Sequence, residues 1–218
     1  MGEFKIREAR LEDAQRVLEY MKTVGGETEN LTFGAEGLPI TAEQEGEFLE
    51  SVHNSPTSLH LIVCKDGEII ADGGLTGLPR RMSHRAEVGL SVKKAYWNCG
   101  VGSMILKELI EYAKKNGIEL LNLEVRSDNL RAIHLYEKFG FQKIGTSPAF
   151  FKVKGAYTDF ELMYLDLNND GKISSSDRTY IGDPNPDFIY GLTNTFTWKD
   201  LSLSIFIQGS YGNDIFNV

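Results

Sequence analysis

Two cysteines in 218 residues, Cys64 and Cys99, are too few and too differently placed for a disulfide framework, which points to a reducing compartment. No stretch approaches the roughly 20 consecutive apolar residues of a membrane helix. The charged start MGEFKIREARLEDAQ contains no apolar core of the kind a secretion signal needs, so a cytoplasmic protein with no membrane partner is expected. Excess positive charge is missing too. With 31 acidic against 23 basic residues, the net charge is -8, which argues against a nucleic-acid partner and suits amine-bearing ones. No internal repeat is visible, so the chain is not a solenoid. What remains is a folded chain, 41% apolar and 25% charged, long enough for one large domain or one domain with an appendage.

The most informative stretch is Val92 to Tyr112, VKKAYWNCGVGSMILKELIEY. A strand-like run ends at Val92, a turn follows over Asn98-Cys99-Gly100-Val101-Gly102-Ser103, and Ile105, Leu106, Leu109, Ile110 and Ala113 then recur at helical spacing. A turn with little side-chain bulk lets backbone N–H groups converge, and the helix start adds unpaired donors and the positive end of its dipole. A diphosphate is the natural occupant.

Around this stretch the pattern reads as strand Phe4–Ala9, a helix carrying Leu11, Ala14, Val17, Leu18 and Met21, and a long loop Thr23–Leu38. Thr41 then caps a short helix over Glu43–Leu49, and a hairpin of Leu59–Cys64 and Glu68–Thr76 turns through Lys65-Asp66-Gly67. Strand Arg85–Val92, helix Ser103–Asn116 with Gly117 as its left-handed cap, strand Glu119–Arg126 and helix Asn129–Phe139 follow. Phe141–Ile144 and Asp159–Leu165 close the order, flanking an irregular loop around Pro148 and Gly155. Hairpins mixed with one crossover predict an α/β fold with a mixed sheet and helices on both faces.

Downstream of WNCGVGSMIL stands LEVRSDNLRAIHLYEKFGF, in which Asn129, Ala132, Tyr136, Gly140 and Phe141 are spaced as in the second core motif of the GNAT N-acetyltransferases. With the glycine-containing loop, the chain from about residue 4 to 165 resembles that family, except that Trp97 stands where Gln or Arg is usual. The resemblance implies the family's acyl-CoA N-acyltransferase fold and transfer of an acetyl group from acetyl-CoA to a primary amine, on a small molecule or a protein N-terminus. It implies a coenzyme site at Leu90, Ser91, Val92, Trp97, Asn98, Cys99, Gly100, Val101, Gly102, Ser103, Asn129, Ala132 and Tyr136. Leu90 would offer its backbone N–H to the thioester carbonyl from a strand that splays from its neighbour, with Gly89 marking a β-bulge. Tyr136 would be the acid that protonates the thiolate; otherwise it is an aromatic of the buried stripe Ile133, Tyr136, Phe139. Glu87, three residues before Leu90, is the candidate base, with Glu124 or no dedicated base as alternatives. His134 falls on another helix face, and Cys99 is a small loop residue without a histidine partner. The other reading of the same fold is a non-catalytic acyl-CoA-binding or partner-binding module.

After Leu165 the character changes. Asp166, Asn168, Asp170, Lys172 and Asp177 stand at ligand positions of a calcium-loop-like turn, so a bound calcium ion is one expectation for the tail. Phe188–Trp198 and Leu201–Gln208 read as a hairpin with one apolar and one polar face. Residues 166–218 resemble an internal piece of the SusC-type TonB-dependent outer-membrane transporters, which makes the chain chimeric: an acetyltransferase over 1–165 and a transporter-like appendage over 166–218. A piece this short cannot close a barrel, and its exposed strands could join two copies into a homodimer.

Overall fold

The computed structural model describes residues 3–168, 188–199 and 201–211. It forms two compact units, Met1–Gly171 and Lys172–Val218. The first contains a sheet of seven strands: β1 Lys5–Glu8, β2 Ser58–Lys65, β3 Glu68–Gly77, β4 Arg85–Val92, β5 Leu120–Arg126, β6 Gln142–Val153 and β7 Ala156–Asp166. Their spatial order is β1-β2-β3-β4-β5-β7-β6, antiparallel throughout except for the parallel pair β4–β5. Helix α3 (Val101–Lys115) supplies that one crossover. The mixed sheet is as predicted.

Each face of the sheet has its own helices. Ile105, Leu106, Leu109 and Ala113 of α3 pack on Val63, Ile70, Leu75, Val88, Leu121 and Leu123, and Tyr136 of α4 (Leu130–Lys138) joins the same core. On the opposite face, Val17, Tyr20 and Val24 of α1 (Ala14–Glu27) and Leu49 of α2 (Ala42–His53) cover Ile62 and Ile69. Helix α2 begins at a capping box: Thr41 accepts from the Gln44 N–H, and the Gln44 side chain accepts from the Thr41 N–H. The β2–β3 turn puts Asp66 and Gly67 at φ 50° and 84°, the left-handed pair that matches strand twist.

Three boundaries depart from the sequence pattern. Thr23–Glu27 is the end of α1 rather than the start of a loop. A Cβ at Gly25 would lie 2.1 Å from the Gly34 carbonyl oxygen, so this glycine serves close packing of the loop on the helix, not chain breaking. Helix α3 starts at Val101, because Gly100 at φ 82° already completes the turn; Gly102 then lets Leu135 of α4 approach, its missing Cβ lying 3.1 Å from that side chain. The expected loop around Pro148 and Gly155 is instead the far half of hairpin β6–β7, irregular between Ser147 and Phe151, where the Ala149 N–H donates to Asp159.

In the second unit, β8 (Phe188–Trp198) and β9 (Leu201–Tyr211) form a two-stranded antiparallel sheet. Leu192, Phe196, Leu201, Leu203, Ile205 and Ile207 are exposed on it. Of the expected calcium ligands, Asp170, Lys172 and Asp177 lie outside the described residues; the Asn168 N–H donates to Asp166 Oδ1 at 3.0 Å.

Gly25→Ala tests the seating of the loop. Helix propensity alone favours alanine by about 1 kcal/mol, whereas overpacking costs about 1–3 kcal/mol, so urea unfolding should show a net loss of stability. A gain would mean that Gly34 does not press on α1.

Candidate active site

β3 and β4 pair without interruption from Gly77↔Ala86 to Ala71↔Val92, so Gly89 makes no bulge. The expected opening arises elsewhere. β4 pairs with β5 only at Arg85↔Leu120, Ala86↔Leu121 and Glu87↔Asn122, and then parts from it while β5 continues along β7 to Arg126↔Phe160. Side chains hold the closed end: Arg85 donates to Asn122 Oδ1, and Asn122 Nδ2 donates to the Ala86 carbonyl at 3.5 Å.

The direction of the freed groups follows from the β3–β4 ladder. The Leu78 N–H donates to the Arg85 carbonyl and the Lys93 N–H to the Ile70 carbonyl, both at 2.9 Å. Bonding residues alternate in an antiparallel pair, so odd-numbered β4 residues bond to β3 and even-numbered ones turn outward. Leu90 and Val92 therefore aim their N–H groups into the opening, where no strand meets them among the described residues. Trp97 donates from its indole to the Val92 carbonyl at 2.7 Å, fastening the next loop to this edge.

That loop has Asn98 at φ 62° and Gly100 at φ 82°, and leads into α3, whose first N–H groups have no partner within the helix. A Cβ at Gly100 would meet nothing within 4 Å. The Cys99 thiol is exposed, 3.6 Å from the Trp97 carbonyl. Opposite stands the start of α4, where Asn129 Oδ1 accepts from the Ala132 N–H at 3.3 Å and the Arg131 guanidinium lies 4.3 Å from the Trp97 ring centre. Leu90, Ser91, Val92, Trp97, Asn98, Gly102, Ser103, Asn129, Ala132 and Tyr136 all line one cleft of about 790 Å³, while Cys99, Gly100 and Val101 are not part of its wall. Backbone donors at a helix start, a bare turn and an open strand edge in one cleft fit a long ligand with a diphosphate and an amide-bearing arm.

Tyr136 is 6% exposed, with its ring 5.7 Å from that of Phe141. Its hydroxyl makes no hydrogen bond among the described residues, and burial pushes its pKa up to about 12, so it carries its proton at neutral pH. Glu87 and Glu124 both line the cleft; burial, and then the charge of Glu87, hold the Glu124 carboxyl above its ordinary range. His134 is exposed on the rim, 4.0 Å from Glu137. The acidic residues at the end of α1 and in the loop after it have partners within the chain: Glu27 accepts from the Lys94 N–H, Glu29 pairs with Lys154 at 2.6 Å, and Glu36 accepts from the Gly34 N–H. Thr28, Asn30–Phe33, Phe150 and Phe151 also line the cleft.

A second polar group on the cleft wall escaped the sequence reading. His60 Nε2 lies 3.1 Å from Asp72 Oδ2, the Ser91 hydroxyl donates to Asp72 Oδ1 at 2.8 Å, and Tyr20 meets Ser91 at 2.8 Å. His60 and Asp72 are 8% and 7% exposed. The available signal was two polar residues within otherwise apolar strands.

Residues 26–141 match the acetyltransferase (GNAT) family. L-amino acid N-acetyltransferase AaaT of Escherichia coli K12 is 32% identical over 127 residues, 56% of this chain and 76% of that protein. An acetyltransferase of the GNAT family from Streptococcus pneumoniae superposes with a TM-score of 0.73 at 31% identity, covering 75% of this chain and 99% of that one. Separately, 55 residues, 25% of the chain, are 44% identical to TonB-dependent receptor P26 of Formosa agariphila and span 6% of its length.

Glu87→Gln removes one of the two causes of the Glu124 shift, so the Glu124 pKa should fall toward its ordinary value, as followed by carboxyl chemical shifts across a pH series. An unchanged titration would show that the two carboxylates do not share a field.

Proposed function

Because the chain belongs to the GNAT acetyltransferase family, whose activity is transfer of an acetyl group from acetyl-CoA to an amine, we propose that it acetylates a primary amine by direct attack on the thioester. The carrying observation is the parting of β4 from β5 beside the start of α3. In this reading the N–H groups of Asn98 to Ser103 hold the diphosphate, with Trp97 as one wall and Asn129, Arg131 and Ala132 as the other. Val92 and Leu90 bond the amide-bearing arm, and the Leu90 N–H receives the developing oxyanion.

Attack needs a neutral amine. Glu124, its carboxyl held above the ordinary range by burial and then by the charge of Glu87, takes the amine's proton. The two act as a pair, directly or through a water. Collapse of the tetrahedral adduct breaks the carbon–sulfur bond and leaves a thiolate, to which Tyr136 donates its proton; water restores it. Residues 166–218 are read as a displaced transporter segment that adds nothing to this chemistry, and Cys64 and Cys99, both free, fit a cytoplasmic setting. Association of two copies would use the exposed apolar strands of that segment.

Calorimetry with acetyl-CoA is the direct test: absence of binding ends this reading, and binding without turnover across an amine panel favours a sensor instead. Tyr136→Phe should lower kcat by about 10²-fold and leave acetyl-CoA affinity within about a factor of two. An unaltered kcat would remove its role as acid.

A further inference from the structure

Three strands lie side by side across the acceptor face of the cleft, and their register puts His60 of β2 opposite Gly74 of β3, and Gly74 opposite Gly89 of β4. On one side of this row stand Asp72 and Ser91, on the other Thr76 and Glu87, again as directly opposed pairs. The middle row has no side chain between β4 and the histidine. With strands about 4.8 Å apart, it forms a bare lane from the peptide before Leu90 to the imidazole.

The imidazole is fixed at one end and open at the other. Asp72, itself held by Ser91, which Tyr20 meets in turn, takes Nε2; the ring of Phe48 lies edge-on at 6.1 Å. Nδ1 has no hydrogen-bond partner among the described residues and lies 3.6 Å from the point a Gly74 Cβ would occupy, on the wall of the cleft. The charged groups facing the ring are Asp72 and the buried Glu45 of α2; their negative charge and the Asp72 bond outweigh burial and raise the affinity of His60 for its second proton. Nδ1 faces the lane, and in the imidazolium form that this raised affinity favours it carries a proton to donate.

We propose that His60 determines acceptor specificity: its Nδ1–H bonds an oxygen next to the amine carbon of the acceptor, so that the substrates are α-amino acyl compounds, in which the carbon bearing the primary amine also bears a carbonyl or carboxylate. This rests on the reading that the amine attacks beside Leu90. The lane fits such a unit, since an α-amino nitrogen over Gly89 places its carbonyl or carboxylate oxygen toward Gly74, within reach of the imidazole. Phe33 and Phe150, on the cleft wall, suit an apolar side chain on the same carbon. Free amino acids and peptide N-termini share this unit, and the two are separated by whether the far oxygen must be charged.

The test is steady-state kinetics of the full chain with L-phenylalanine, L-phenylalanine amide and phenethylamine, which carry a carboxylate, a neutral carbonyl and neither. One or both oxygen-bearing acceptors should exceed phenethylamine in kcat/KM by at least about tenfold, the worth of one hydrogen bond to a charged group. His60→Asn should abolish that preference through KM, leaving phenethylamine and the acetyl-CoA dissociation constant within about twofold. Gly74→Ala, whose methyl would make only ordinary contacts while covering Nδ1, should do the same and carries the test if the histidine variant fails to fold. Equal or no use of the three acceptors by the native chain overturns the proposal, as does loss of all three alike in Gly74→Ala. Failure of the native chain to bind acetyl-CoA would instead defeat the acetyltransferase reading itself.

Discussion

The parting of β4 from β5 after Glu87 and Asn122 is the constraint on which the rest of the first unit depends. A strand inside a sheet must bond on both sides or leave polar backbone groups unpaired in a poorly solvated place. Here the pairing stops after three residues and the two strands take different neighbours, β4 staying with β3 and β5 with β7. Arg85 and Asn122 hold the junction shut from below. Above it, α3 and α4 flank the opening, with Gly102 permitting their close approach.

Strand parity then divides the labour within β4. Its odd residues, Glu87, Gly89 and Ser91, look toward α1 and α2 and line the cleft on that face. Its even residues, Val88, Leu90 and Val92, pack toward α3 while turning their N–H groups sideways into the opening. One short strand thus supplies a carboxylate, a bare floor and outward-turned backbone donors without any of these competing for the same direction. The same alternation explains why the carboxylates and the imidazole carried by the cleft's strands collect on one face: the other is filled by Val63, Ile70, Leu75 and Leu121.

The turn-and-helix side of the cleft was legible in the sequence because its geometry is local. Asn98, Gly100 and Asn129 act through turns and caps spanning a few residues, and the strand-turn-helix order fixes where they point. The strand side was not, because its geometry depends on register between strands. The hairpin turn at Asp66-Gly67 predicts Cys64 opposite Ile69, as found, but Ile70 is an extra residue in β3 and the pairing resumes at Val63 opposite Ala71. Without that bulge His60 would face Gly73 and lose its place beside Asp72. A glycine at position 89 suggests a bulge where there is none. Gly25 and Gly26 suggest a loop for a related reason, since a glycine used for close packing looks the same in sequence as one used for a turn.

A sheet of seven strands ordinarily exposes two edges, both at its rim, and proteins blunt such edges because an unpaired ladder recruits other strands. This sheet has a third edge in its middle, along Leu90 and Val92. No strand among the described residues guards it, so a bound group with amides along its length would complete the ladder there. An extended peptide offers the same amides, and in the proposed reading the amide-bearing arm of the coenzyme takes the place of a strand.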